Sequence, residues 1–128
     1  MNNASEINKI AENLISFAEN IGKYRENNYE NISKDENDIL LTIQKSMLEY
    51  SDELCTQSAI IVSDEVQDSL KSINNLIVEI NESINDLKEI QKTIDLATAI
   101  INVGTSIISQ NPGAIGKSLA NLVSTYKK

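Results

Sequence analysis

The chain has 128 residues and a formal net charge of −8, since 19 Asp and Glu outnumber 11 Lys and Arg, which disfavours nucleic-acid binding because phosphates require basic partners. Histidine is absent and cysteine occurs once, so zinc sites, haem ligation and His-dependent hydrolysis lack the side chains they need. One Pro and four Gly beside 20 Ile and 11 Leu favour long helices with aliphatic cores over turn-rich β folds.

The first predicted helix covers about residues 5–28. Ser5 stands at the N-cap position ahead of Glu6, where a serine hydroxyl can accept from a helix amide. Six apolar side chains then recur at steps of three and four residues, the spacing of a helix packed on another helix. They are Ile7, Ile10, Leu14, Phe17, Ile21 and Tyr24. The polar residues at 27–33 predict a turn after this helix.

A capping box at 33–36 predicts the start of the second helix. Ser33 can accept from the third amide while Glu36 reaches back to the first, and the acids at 35–38 suit a helix N-terminus. One face carries Leu40, Ile43, Met47, Tyr50 and Leu54. A flanking row at sevenfold spacing carries Leu41, Leu48, Cys55 and Val62. We predict that Cys55 is a buried apolar side chain, because no histidine is available to activate its thiol.

The helical register slips between residues 54 and 66. Gln57 occupies an apolar position, and Ser63-Asp64-Glu65 resembles a new helix start. The sequence leaves open whether the helix breaks near Ser63 or continues through it. A heptad pattern resumes at Val66 and extends to about residue 90. Its a positions are Leu70, Ile77 and Ile84, and its d positions are Val66, Ile73, Ile80 and Leu87.

The e and g positions of this heptad carry almost no charge, so no cross-helix charge code specifies a two-stranded coiled coil. Apolar residues at g positions also widen the apolar stripe along this helix, which favours an assembly of three or four helices. The chain supplies enough helices to form one alone, and a higher-order oligomer is the alternative.

The C-terminal part differs in charge from the rest. All 19 acids lie between Glu6 and Asp95, whereas residues 96–128 contain three lysines and no acid. Asn111-Pro112-Gly113 predicts a turn with Asn111 as N-cap and Pro112 at the first helical position. Residues 96–108 and 114–126 therefore form a helical hairpin, uncharged apart from Lys117, with small residues that permit close approach. The apolar side chains of the hairpin that would lie in the core or enter a membrane are Leu96, Ile100, Ile101, Val103, Ile107, Ile108, Ile115, Leu119 and Leu122.

These patterns predict an all-α fold in a single domain, 1–128. The predicted architecture is an antiparallel helical bundle or coiled-coil-like assembly of three to four helices, with one long heptad helix and the C-terminal hairpin. Residues 1–95 would form the acidic amphipathic helices and residues 96–128 the uncharged hairpin.

Acidic residues at the c and f positions of the heptad are candidates for partner binding. They are Glu65, Asp68, Glu79, Glu82, Asp86 and Glu89. A convex helix face offers neither the concave pocket nor the partner group that acid catalysis needs. The row is therefore either a solvated face or a docking surface for a basic partner.

No catalytic, cofactor or metal site is predicted. Gly116-Lys117-Ser118 resembles the end of a phosphate-binding loop, but Asn111 stands where that loop needs glycine, and no parallel sheet can surround it. The acids at 35–38 lack the alternating ligands and central glycine of a calcium loop. We therefore predict that the protein is not an enzyme and needs no cofactor.

Two function classes remain. The first is a helical protein–protein interaction module, such as an adaptor, a secretion partner or an immunity-type inhibitor, which docks a basic partner on its acidic faces; homo-oligomerisation is compatible with it. The second is a membrane-active or pore-forming protein that inserts the 96–126 hairpin. In layout the chain resembles α-helical pore-forming toxins, and this resemblance implies a stored hairpin released into a bilayer.

The length of the hairpin favours the first class. Residues 96–108 form a helix of roughly 20 Å, short of the roughly 30 Å hydrocarbon core. Residues 1–9 have neither a basic segment nor an apolar core of a signal peptide, so we expect a cytoplasmic protein or one exported without a cleaved signal. The abundance of Asn and Ile indicates an A+T-rich, bacterial genome.

Overall fold

The computed structural model describes residues 3–57 and 66–128. Helices account for 89% of these residues, and no strand occurs among them. This composition confirms the all-α prediction. The five α-helices of the described ranges are α1 (Asn3–Asn27), α2 (Lys34–Gln57), α3 (Gln67–Ser83), α4 (Ile90–Ile108) and α5 (Pro112–Lys127), and a 3₁₀ turn, Ile84–Asp86, follows α3.

Helices α1 and α2 form an antiparallel pair. Ser51 Oγ donates to Ala11 O at 2.9 Å near one end, and Arg25 Nε donates to Asn37 Oδ1 at 2.9 Å near the other. The six apolar residues predicted to face the core from α1 are all buried, at 3% exposure or less. Regular 3-4 spacing therefore identified the packed face of this helix correctly.

The capping box forms at the start of α2 as predicted. Ser33 N donates to Glu36 Oε1 at 2.9 Å, and Glu36 N donates to Ser33 Oγ at 3.1 Å. These two bonds satisfy amides that the first turn of a helix leaves without backbone partners. The turn between α1 and α2 consequently covers residues 28–33, close to the predicted 27–33.

The flanking row of α2 does not lie in the core. Leu41 is half-buried, while Leu48 and Cys55 are exposed, and Val62 lies outside the described residues. The prediction of a buried Cys55 is therefore wrong. Helix α2 packs on α1 and α4, and its row at sevenfold spacing lies beside these contacts rather than beneath them.

The predicted long heptad helix is interrupted. Helix α3 ends at Ser83, the 3₁₀ turn follows, and Leu87 is extended with φ −74° and ψ 130° before α4 begins at Ile90. Ser83 Oγ donates to the carbonyl oxygens of Ile80 and Glu79, and such back-bonding competes with helix geometry. The heptad ends at Ile84, so the described ranges contain five helices where three to four were predicted.

The question of a break near Ser63 lies outside the described residues. Helix α2 ends at Gln57 and α3 begins at Gln67. The predicted arm 96–108 is the C-terminal part of the longer helix α4.

The principal contacts between helices form a closed circuit. Helix α1 packs on α2 and α3, α2 on α4, α4 on α5, and α5 on α3. The α1–α2 contact is the most extensive of the five, and the α3–α5 contact is the least extensive. Buried apolar residues from all five helices form one core cluster, which holds both the acidic helices and the uncharged hairpin.

Two asparagine pairs fix the register of α1 and α3. Asn13 Nδ2 donates to Asn74 Oδ1 at 2.8 Å, and Asn20 Nδ2 donates to Asn81 Oδ1 at 2.6 Å. Because the pairs are seven residues apart on both helices, α1 and α3 run parallel. Asn74 is buried, and it also donates to Glu6 O at 3.0 Å. A register shift would leave this buried amide without partners, which is costly.

Replacing Gly116 with alanine is expected to raise the melting temperature by a few degrees. Gly116 lies inside α5, and a Cβ atom there would meet nothing within 4 Å. Alanine favours a helix interior over glycine by about 1 kcal/mol. The matched control is Gly22→Ala in α1, whose added carbon would lie 3.0 Å from Gln44 Nε2. Thermal unfolding followed by circular dichroism should show a smaller gain or a loss for Gly22→Ala; a lower melting temperature for Gly116→Ala would contradict the prediction.

Candidate interaction surface

The predicted acidic row is shorter than its heptad pattern indicated. Asp68, Glu79 and Glu82 are exposed on α3, and Asp86 is exposed in the 3₁₀ turn. Glu89 is exposed as well, but its backbone is extended, with φ −92° and ψ 115°, at the start of α4. Its assignment to the same row is wrong, because the chain leaves the heptad at Leu87. Glu65 lies outside the described residues.

The carboxylates on this face are not used in contacts among the residues that the structure describes. Those of Asp68, Glu79, Glu82 and Asp86 have no hydrogen-bond or salt-bridge partner within residues 3–57 and 66–128. By contrast, Glu6 Oε2 lies 3.7 Å from Lys9 Nζ, and Glu6 Oε1 accepts from Asn74 Nδ2 at 3.1 Å. The α3 carboxylates therefore project a negative field into solvent, where it can attract a cationic partner.

A shallow groove of about 660 Å³ lies between α3 and α5. Its apolar surface is formed by Leu76 and Val78 of α3 and by Leu119 and Val123 of α5. Glu79 and Glu82 line the same groove, together with Ser72 and Asn75. The structure thus places two members of the predicted acidic row beside an apolar surface that sequence analysis did not find.

The groove exists because α5 is only partly covered. Ile115 and Leu122 are its buried residues, whereas Leu119 and Val123 are half-buried. On α3, Val78 is 43% exposed at a position that the heptad assigns to solvent. An apolar residue outside the a and d positions was the available sequence signal, but it does not indicate which helix lies opposite.

The uncharged hairpin lies largely in the core. Of its nine predicted apolar residues, three are half-buried, namely Ile101, Ile108 and Leu119. The other six are buried, namely Leu96, Ile100, Val103, Ile107, Ile115 and Leu122. In this folded state the hairpin contributes to the same apolar cluster as α1, α2 and α3.

The small residues of the hairpin have different roles. Ser106 Oγ and Ser118 Oγ lie 2.7 Å apart and join α4 to α5. Gly104 instead faces Tyr50 of α2, whose Cδ2 would lie 3.6 Å from an added Cβ atom. Gly116 has open space around it, so close approach of α4 and α5 does not depend on that glycine.

Lys92 has a structural role that sequence analysis missed. Its Nζ donates to Thr125 O at 2.5 Å and to Tyr126 O at 3.2 Å. Both carbonyl oxygens belong to the last turn of α5, where a cation is favoured by the helix dipole. Lys92 therefore fastens the end of α5 to the start of α4. The partners are 33 and 34 residues apart, so no local pattern indicates the contact.

The segment that resembles a phosphate-binding loop is helical. Gly116, Lys117 and Ser118 lie inside α5, and Ser118 Oγ donates to Ile115 O at 3.0 Å. Among residues 3–57 and 66–128, no group of three or more His, Cys, Asp or Glu is placed to hold a metal ion.

No family model, no curated protein and no solved structure matches the chain. Of the helices that the structure describes, none combines the length and the apolar character needed to cross a membrane. The acidic face of α3, the α3–α5 groove and the hairpin are therefore the features from which a function is inferred.

Proposed function

We propose that this protein is a helical protein–protein interaction module in which a helix bundle presents the acidic face of α3 to a partner with a basic surface. The observation that supports the proposal is the position of Glu79 and Glu82. Both are exposed, neither carboxylate has an internal partner in the described ranges, and both line a groove with four apolar side chains. An adaptor, a secretion partner and an immunity-type inhibitor all need a surface of this kind.

The two components of the surface have separate physical roles. Exposed carboxylates accelerate encounter with a basic partner and fix its orientation, an effect that salt weakens. Apolar side chains at the centre of an interface supply affinity when the partner removes them from water. The face combines both components, whereas a merely solvated acidic helix has only the first.

The experiment compares two variants that lose the same number of acids. The α3-face variant carries Asp68→Asn, Glu79→Gln, Glu82→Gln and Asp86→Asn. Its matched control carries Glu12→Gln, Glu19→Gln, Glu49→Gln and Asp52→Asn, which neutralises exposed acids of α1 and α2. In pull-downs from the native source, wild type and control should retain the same proteins, and the α3-face variant should lose them. Equal loss from both variants would show that net charge alone is responsible, and no loss from either would place the interface elsewhere.

A membrane-active role is the second candidate. Two observations favour it. Residues 96–116 contain no charged side chain, and α5 contacts α3 less extensively than it contacts α4. The hairpin contacts the acidic helices mainly through the α2–α4 and α3–α5 interfaces, and this candidate requires both interfaces to separate. Truncation of the hairpin, argued in the Discussion, distinguishes this candidate from the first.

A further inference from the structure

We infer that the α3–α5 groove binds a single amphipathic helix of a partner protein, one whose apolar stripe is flanked by Lys or Arg. The inference rests on the proposed function and specifies which secondary structure and which side chains the partner contributes. It depends on the length of the groove, on the side chains that line it and on its charge.

The groove has the length of a short helix. Its α3 side extends from Ser72 to Glu82, which is about 15 Å along a helix axis, or roughly three turns. Its α5 side is formed by Leu119 and Val123, one turn apart. A partner helix with apolar residues at i, i+3 or i+4, and i+7 covers roughly 10 Å with its stripe. Such a stripe fits along the groove without extending past it.

The lining matches the two faces of such a helix. Leu76, Leu119 and Val123 are half-buried and would be covered by the apolar stripe. Glu79 and Glu82 would meet basic residues at the edge of the stripe, where N⁺–H···O⁻ bonds are strong. Ser72 and Asn75 are short, uncharged and exposed, so they leave room for a helix to approach α3.

Charge identifies the occupant as a different protein. A second copy of this chain also has a net charge of −8, so pairing groove to groove would bring acidic rims together, and like-charge contacts oppose association. On the α3 side, Asp68 lies one turn before the groove and Asp86 one turn after it, beside one exposed cation, Lys71, whereas the α5 side has no acid and ends at Lys127. Anionic lipid and nucleic acid would be repelled by the carboxylates of Glu79 and Glu82, which line the groove itself.

The test uses designed peptides and the full-length protein. The probe is a helix-forming peptide of about 14 residues with Leu on one stripe and Lys elsewhere, long enough to span the groove. Its affinity is measured by fluorescence anisotropy, and its position is mapped from ¹⁵N amide shifts. We expect shifts concentrated at 72–82 and 119–123. A peptide of identical composition without the Leu stripe should bind at least about tenfold more weakly.

Two protein variants test whether the groove itself is the site. Asn75→Arg places a long cation in the groove without altering a buried residue, and Asn8→Arg makes the same change at an exposed position of α1. We expect Asn75→Arg to weaken peptide binding about tenfold and Asn8→Arg to leave it within about twofold. Equal effects of the two variants, or amide shifts centred on other helices, would overturn the inference. Binding of the protein itself, without peptide, to phosphatidylglycerol vesicles, with amide shifts at 72–82 and 119–123, would also overturn it, by assigning the groove to lipid.

The groove inference and the proposed function can fail independently of each other. If neutralising the α3 acids releases the native partners while Asn75→Arg retains them, the acidic face is an interface but the groove is not its centre. If Asn75→Arg releases the same partners as the α3-face variant and Asn8→Arg does not, the inference is supported with native ligands as well as with peptides.

Discussion

Ile80→Asp is expected to lower the free energy of unfolding by several kcal/mol and to abolish cooperative folding. Ile80 is fully buried in α3, at 0% exposure, so the substitution removes a core side chain and adds an unpaired carboxylate. Truncation of a buried aliphatic residue alone costs roughly 2–5 kcal/mol, and burying an unpaired charge adds to that cost. Natural domains have only about 5–15 kcal/mol of stability.

Glu82→Gln is the matched control for this substitution, only two residues away. Glu82 is exposed, with Glu79 three residues before it and Asp86 four residues after it. Removing its charge should change stability by no more than about 0.5 kcal/mol, with a small gain from reduced repulsion. Urea denaturation followed by circular dichroism measures both variants. Equal shifts of the two midpoints would mean that the inner and outer faces of α3 are wrongly assigned.

Local signals predicted much of this fold because each depends on residues within one or two helical turns. The apolar spacing of α1 placed Phe17 and Tyr24 in the core, where both are buried. The capping box joined Ser33 and Glu36, and both of its hydrogen bonds form. The N-cap at Asn111 forms too, since its Oδ1 accepts from Ala114 N at 3.1 Å.

The break after α3 was missed because two kinds of local signal disagreed. Ile84 and Leu87 continue the heptad spacing and therefore predict a continuous helix. The residues between them are Asn85 and Asp86, which favour turns because their side chains bond to nearby backbone. Turn formation prevails once Ser83 bonds back to the preceding carbonyl oxygens. The spacing of apolar residues alone does not show whether the heptad or the turn-forming residues determine the local structure.

The candidate site was only half predictable for a different reason. The acids of α3 repeat along a single helix, so sequence periodicity identified Glu79 and Glu82 as an outer row. The apolar half of the groove combines Val78 with Val123, which are 45 residues apart. Their proximity depends on how α5 packs against α3. No spacing within either helix encodes that packing.

Deletion of residues 90–128 is expected to destroy the fold of the remaining chain. The cut follows Glu89 because α4 begins at Ile90. It removes the helix that packs on α2 and the one that packs on α3. The surfaces facing Leu96, Ile100 and Val103, all at 0% exposure, would become exposed to water. Each large apolar side chain removed from its cover costs about 1.5–3 kcal/mol, so a few of them exceed the stability of a small domain. Residues 1–89 should aggregate, oligomerise or melt without a cooperative transition.

A shorter truncation controls for loss of chain length. Deleting residues 111–128 removes α5 alone, which buries Ile115 and Leu122, whereas α4 contributes ten buried residues. This variant should melt at a lower temperature than the full chain but retain a cooperative transition by calorimetry.

The membrane-active function requires a different result, because the other helices must stay folded after the stored hairpin has left them. Residues 1–89 that stay monomeric and helical, together with a full-length protein that releases dye from vesicles, would reverse the order of the two proposed functions. A full-length protein that leaves vesicles intact while residues 1–89 aggregate would establish the hairpin as core.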